Sequence, residues 1–313
     1  MQIFGNSARD TLRLLLSQPR KLAAKRLSDS LQAAASSKPV LAIWWNDLPN
    51  WGDIVNPVLV EHLSGRTVLQ ASRVFNVRRR TIYTVIGSIL DGLAQSPVEV
   101  WGSGFKVESS RFRVRPRRIH AMRGPLSAAI ARSQGLSVPD VFGDPALLFP
   151  LLYTPEKKVE YQLGIIPHYA DRNSPYVARL GALPGVHVID ILSGITAVPD
   201  EIARCAAIAS SSLHGMILAD SYGIPSTWLE FSSNVEGSGF KFRDYLAGVG
   251  RREATPLLVT EATSLAEIVD RLGNDPARPQ LNELLRSCPF LDPSQQWLSM
   301  HPAIPQHLGQ SGI

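Results

Sequence analysis

Cysteine is scarce in this chain: Cys205 and Cys288 are its only two among 313 residues. They stand in no CxxC or metal-ligand spacing, which excludes a disulfide framework and reads as two reduced, buried thiols. No apolar run approaches the roughly 20 residues that a membrane span needs. A signal-peptide pattern is missing too, because Leu12–Leu16 contains Arg13 and is followed by Pro19, Arg20 and Lys21. Charge is thin, with 19% charged residues and a net charge of +5. That excess suits anionic ligands such as phosphates but is far from a dense basic stripe, so no nucleic-acid partner is expected. Neither a GxGxxG fingerprint nor a Walker loop occurs, which leaves nucleotide binding by those devices unsupported.

What is present is α/β patterning. Residues 1–37 set Leu12, Leu15, Leu16, Leu22 and Leu27 against Arg9, Arg13, Arg20, Lys21, Lys25 and Arg26. Such a basic amphipathic segment suits an anionic membrane surface, and equally a helix on the body or a loose tail. From residue 38 onward short apolar runs alternate with helical ones. Val40–Trp45, Val68–Ala71, Ile82–Ile86, Val98–Trp101 and Arg118–Met122 read as strands, with helices over Ile54–Leu63 and Pro125–Gln134. After a linker at Tyr153–Glu160, strands are expected at Gln162–Pro167, Val186–Ile191, Ile208–Ser211, Ser226–Phe231 and Leu257–Glu261. Helices follow from Asp200–Ala207, Leu213–Tyr222, Ser264–Leu272 and Leu281–Arg286. This alternation predicts mostly parallel sheets, arranged as two Rossmann-like domains (38–152 and 153–290) facing a central cleft, with a tail at 291–313. The C-terminal helices are expected to cross back, and ligands to sit beyond the carboxyl ends of the strands.

The segments able to carry chemistry fall at strand-to-helix turns. Ser210-Ser211-Ser212-Leu213-His214-Gly215 joins hydroxyls and an imidazole to a helix start, whose free N–H groups favour anions. His214 there is either a general acid or base or a packed helix residue, and Ser211 or Ser212 is either a ligand contact or an N-cap. Arg123, before Gly124-Pro125, can fork onto a carboxylate or phosphate, or face solvent. Asp144 can orient a basic group or form an Asx-turn. Asp53 can cap the first helix or meet a sugar hydroxyl. Gly87, Ser88 and Gly104 end strands and permit close backbone approach. His168 and Tyr169 stand at the expected cleft edge, one to contact a sugar, the other to stack on it. Phe240–Tyr245 sets Lys241 and Arg243 among aromatics, as a cationic or simply solvated loop.

Taken in order, several of these segments resemble the polysaccharide pyruvyl transferase family: Asn50-Trp51-Gly52-Asp53, Val85-Ile86-Gly87-Ser88, Trp101-Gly102-Ser103-Gly104, Arg123-Gly124-Pro125-Leu126-Ser127, Gly143-Asp144-Pro145-Ala146, Ser211-Ser212-Leu213-His214-Gly215 and Gly223-Ile224-Pro225. The resemblance covers roughly residues 40–232. It implies a GT-B-like two-domain fold, phosphoenolpyruvate as co-substrate, and no metal or organic cofactor. It also implies a pyruvate ketal placed on a bacterial exopolysaccharide subunit, with a lipid-linked oligosaccharide at the cytoplasmic face of the inner membrane as the acceptor. The family's donor-site arginine falls on Arg123 and its Leu-His pair on Leu213 and His214. Many members carry arginine where this chain has Ser212, and Lys241, Arg243, Lys106 or Arg80 are the candidates to replace that cation. The resulting assignment is His214, Asp53 and His168 as catalytic residues. Arg123, Ser211, Ser212, Leu213, Lys241 and Arg243 bind the donor, and Asp53, Gly87, Ser88, Gly104, His168 and Tyr169 the acceptor. The rival readings are a GT-B glycosyltransferase using a nucleotide sugar and a non-catalytic carbohydrate-binding protein of an assembly complex.

Overall fold

A computed structural model of the chain describes residues 38–74, 80–94, 97–252, 255–272, 275–292 and 294. The amphipathic segment at 1–37 and nearly all of the tail at 291–313 lie outside these residues. Among the described residues no helix is long and apolar enough to cross a membrane.

Two five-stranded sheets, each wholly parallel, form the body. The first is ordered β2-β1-β3-β4-β5, from β1 (Val40–Ile43), β2 (Val68–Gln70), β3 (Ile82–Thr84), β4 (Val98–Trp101) and β5 (Arg118–Ala121). The second is ordered β10-β9-β8-β6-β7, from β6 (Leu163–Ile166), β7 (Val186–Val188), β8 (Ile208–Ser210), β9 (Ser226–Glu230) and β10 (Leu257–Leu258). Runs such as Val40-Leu41-Ala42-Ile43 and Leu163-Gly164-Ile165-Ile166 are nearly continuous in apolar residues because helices cover both faces of a parallel sheet.

Helices α1 (Trp51–Ser64) and α2 (Pro125–Ser133) flank the first sheet; α3 (Pro175–Gly181), α4 (Ala197–Ala203) and α5 (Leu213–Ser221) flank the second. The largest core cluster joins α1, the 3-10 segment Pro145–Leu151 and α5, so the two sheets share one apolar interior. Every residue of α5 is buried. Trp51 packs edge-on against Phe149 at 5.0 Å and donates its Nε1–H to Ile195 O, pinning the start of α1 to the second half.

Three further helices complete the chain: α6 (Phe240–Gly248), α7 (Leu265–Asp270) and α8 (Leu281–Arg286). Two of them return to the first half. α6 packs on α2, and α8 is tied to β4 by Trp101 Nε1 donating to Leu284 O at 3.0 Å. The residue pattern does not mark α3, and it leaves the α6 segment open between a cationic stretch flanked by aromatics and a solvated loop; the structure makes it a helix. It also started α1 at Ile54, whereas the helix begins at Trp51 and holds Asp53 in its first turn.

Candidate active site

The carboxyl ends of strands from both sheets meet around one cavity of about 420 Å³. The first half contributes Asp53 from α1, Gly87 and Ser88 after β3, and Lys106 after β4. The second contributes His168 and Tyr169 after β6, Ser212–His214 after β8, and Lys241 from α6. Ligands of open parallel sheets sit in this position because strand ends deliver loops and helix starts to one place.

His214 occupies the first turn of α5, over Gly52. A Cβ at Gly52 would stand 2.0 Å from His214 Nδ1, so only glycine at that point of α1 admits the ring. Burial lowers His214 to about 3, with the charges of Lys241 and Arg123 adding to the effect. Asp53 is 6% exposed and accepts from Asn50 Nδ2 at 2.7 Å. Burial raises its carboxyl to about 6, against the opposing pull of that bond and of Lys241. His168 is lowered to about 4 by burial and then by Lys241, and its Nδ1 accepts the Ala170 N–H at 3.2 Å. A neutral ring whose Nδ1 accepts must carry its proton on Nε2. His168 is therefore a lining residue whose Nε2 can donate a hydrogen bond.

Lys241 is the cation of the site. Its ammonium lies 5.8 Å from the Phe242 ring centre, and burial lowers it to about 8, helped by Arg123 and Lys106. Lys106 is instead neutralised by Glu236 at 2.9 Å across the cavity mouth. The α5 N-terminus adds N–H groups with no acceptor inside the helix.

Four residues assigned from sequence do not line the cavity. Arg123 is fully buried: its Nε donates to Asp244 Oδ2 (2.9 Å), Nη1 to Ser88 Oγ (2.5 Å) and Nη2 to Phe105 O (2.6 Å). Its guanidinium is thus occupied from behind the wall, where it holds Ser88 in place. Gly104 leaves room for that guanidinium, since a Cβ there would lie 2.4 Å from Arg123 Cζ. Ser211 turns away, accepting the His168 N–H at 2.8 Å and pairing with Asp171. Arg243 donates to Ser238 O on the exposed side of α6. Arg80 is also elsewhere, donating to Pro39 O.

Some lining residues escaped the sequence reading. Trp45 was placed within a strand, yet β1 ends at Ile43 and Trp45 reaches the cavity, stacked on Tyr169 with ring centres 6.0 Å apart. The Trp44-Trp45 pair directly before a polar turn was the available signal. Asn234 and Glu236 sit in a loop with no motif to mark them.

The chain is an α/β protein in which two parallel sheets bring two imidazoles, a carboxylate and an ammonium to one cavity. The profile of the polysaccharide pyruvyl transferase family matches residues 94–233. An uncharacterized protein of Acanthamoeba polyphaga mimivirus is 30% identical over 213 residues, covering 64% of this chain and 71% of that protein. The succinoglycan biosynthesis protein ExoV of Rhizobium meliloti is 26% identical over 219 residues, covering 66% of this chain and 64% of its own length. A functionally uncharacterized protein of Klebsiella pneumoniae aligns in structure at a TM-score of 0.45 and 11% identity, covering 75% of this chain and 98% of that one. The chain belongs to the polysaccharide pyruvyl transferase family, and so to the transferase enzymes.

Proposed function

We propose that the protein transfers the enolpyruvyl unit of phosphoenolpyruvate to two hydroxyls of a glycan, forming a pyruvate ketal and releasing phosphate. The observation that carries this reading is the convergence of His214, Asp53 and Lys241 on the cavity at the start of α5. Family membership supports pyruvyl transfer on polysaccharide. The donor's phosphate and carboxylate are assigned to Lys241, the Nε2–H of His168 and the free N–H groups of α5. Lys241 then supplies the cation that Ser212 does not.

His214 gives a proton to the methylene carbon of the donor, which becomes the methyl group. Asp53 takes the proton of the first sugar hydroxyl as its oxygen bonds to the adjacent carbon. Phosphate leaves with its bridging oxygen, the second hydroxyl closes the ketal, and its proton departs with phosphate or solvent. Asp53 is the better base of the two candidates, because the neutral His168 ring spends Nδ1 on the Ala170 N–H and carries its proton on Nε2. A positioned acid contributes roughly a hundred- to ten-thousand-fold.

Trp45 and Tyr169, one from each half, form the aromatic wall assigned to the acceptor sugar. In this reading the halves 38–152 and 153–290 serve as acceptor and donor sides of a GT-B-like pair. The acceptor is a lipid-linked oligosaccharide, and residues 1–37 suit contact with the membrane that carries it.

The test is phosphate release from phosphoenolpyruvate against a panel of lipid-linked or synthetic glycosides, with the wild type active and folded His214→Ala nearly inactive. Thermal protection by phosphoenolpyruvate is expected; protection by a sugar nucleotide in its place would overturn the proposal.

A further inference from the structure

Asp144 lies outside the cavity lining, yet its carboxylate is aimed at the ring at the centre of the site. Asp144 is fully buried, in the turn between Met122-Phe142 pairing and the 3-10 segment. Oδ1 accepts the Ala146 N–H at 3.0 Å, as an Asx-turn does. Oδ2 makes no well-formed hydrogen bond among the described residues, although the Gly87 backbone also acts on this carboxyl, and His214 Nε2 makes none; both atoms are buried. They face one another at 3.9 Å. A buried polar atom left unpaired is costly, and two of them facing each other at this distance are about one ångström from satisfying both.

The surroundings hold this pair in place. Gly102 admits Pro145, because a Cβ there would lie 2.1 Å from the proline Cδ, and Gly52 admits the imidazole. The charged and titratable groups around the pair are Asp53 from α1, Arg123 after β5, His168 after β6, and Lys241 and Tyr245 from α6. Three of these five are cationic or potentially so, and they disfavour an imidazolium. Asp144 is the carboxylate closest to the ring in a position to offset them.

We infer that Asp144 is the positioning residue of His214, taking the Nε2–H in a bond that closes when the donor binds and leaving Nδ1 to exchange the proton with substrate. This rests on the reading of His214 as proton donor. Catalytic hydrogen bonds are often long before ligand binds, and a dianionic donor beside Lys241 and Arg123 removes the charge that opposes an imidazolium. Burial supports the same pairing, since it holds Asp144 up at about 7 while it holds His214 down, which matches the two groups to share one proton.

Asp144→Asn keeps an oxygen for the Ala146 N–H and is expected to fold. Its turnover should fall by roughly a hundred- to ten-thousand-fold while KM for phosphoenolpyruvate stays within about threefold. Asp144→Glu should recover part of the loss, and Asp144→Asn in a His214→Ala background should cost nothing more. Nitrogen-15 NMR of labelled histidine in the full chain with phosphoenolpyruvate should show His214 Nε2 protonated in the wild type and altered in Asp144→Asn. An Asp144→Asn protein turning over within about threefold of wild type would overturn the inference. So would an unprotonated Nε2 in the donor complex, a readout that survives even if the variant does not fold. Failure of the wild type to release phosphate while phosphoenolpyruvate still binds would sink the pyruvyl reading alone, because the NMR pairing needs the bound donor and not its turnover.

Discussion

At the scale of single residues, position within the cavity depends on what a neighbour leaves out. The His214 ring lies where a Gly52 side chain would be, so Gly52→Ala should displace the imidazole while the helix around it persists. Turnover of that variant is expected to fall at least tenfold with a melting temperature within a few degrees of wild type, read by phosphate release and calorimetry. Lys241 offers the complementary case. Losing a charged hydrogen bond worth about 1.5–3 kcal/mol, Lys241→Met should raise KM for phosphoenolpyruvate by roughly ten- to a hundredfold. Arg243→Ala should leave KM unchanged, since that guanidinium is spent on Ser238 O. Ser212→Arg in the Lys241→Met background should restore part of the binding. The histidine itself was legible in the sequence, because Ser-Ser-Leu-His-Gly after a short apolar run marks a strand-to-helix turn. The choice among Lys241, Arg243, Lys106 and Arg80 was not, since it depends on which face of a helix each occupies and on Glu236 neutralising Lys106.

At the scale of elements, α6 is what the sequence concealed and what the site most needs. Phe240-Lys241-Phe242-Arg243 alternates apolar and polar residues with a period of two, which hides the helix whose buried face carries Phe242, Tyr245 and Leu246. Strands such as β1 and β6 were easier to read, because burial on both faces makes them nearly continuous in apolar residues. Asp244 on α6 meets Arg123 and also accepts the Ser127 N–H at 2.8 Å and the Ser127 hydroxyl at 2.6 Å. Arg123→Met leaves that carboxylate buried without its cation, and should cost about 3–5 kcal/mol in urea unfolding. Adding Asp244→Leu should return much of that stability, because an apolar pair of similar volume carries no uncompensated charge. Activity should not return with it, since Ser88 loses the group that holds it.

At the scale of the whole molecule, the site's titrations set two pH dependences. kcat/KM should follow a bell, rising as Asp53 ionises near pH 6 and falling in two stages, as the proton shared by Asp144 and His214 is lost near pH 7 and as Lys241 discharges near pH 8. Lys241→Arg should remove the later of the two losses. Stability responds in opposite directions. His214 and His168 have lowered values, so the unfolded chain binds more protons below about pH 6.5 and their contribution to stability declines as pH falls. Asp53 and Asp144 have raised values, so the folded chain holds more protons and stability declines as pH rises through about 4 to 7. These slopes largely offset one another in the wild type. Folded His214→Gln should therefore gain stability relative to wild type as pH drops from 6.5 toward 4, measurable by denaturant midpoints across that range. The Arg123–Asp244 pair has one more consequence, and it concerns synthesis. A chain emerging at about 5–20 residues per second leaves the Arg123 guanidinium waiting for a carboxylate 121 positions away. The first sheet is complete in sequence long before its buried charge is answered. A nascent chain halted before α6 should accordingly yield to protease throughout the first half, and become resistant only once residue 244 has left the ribosome.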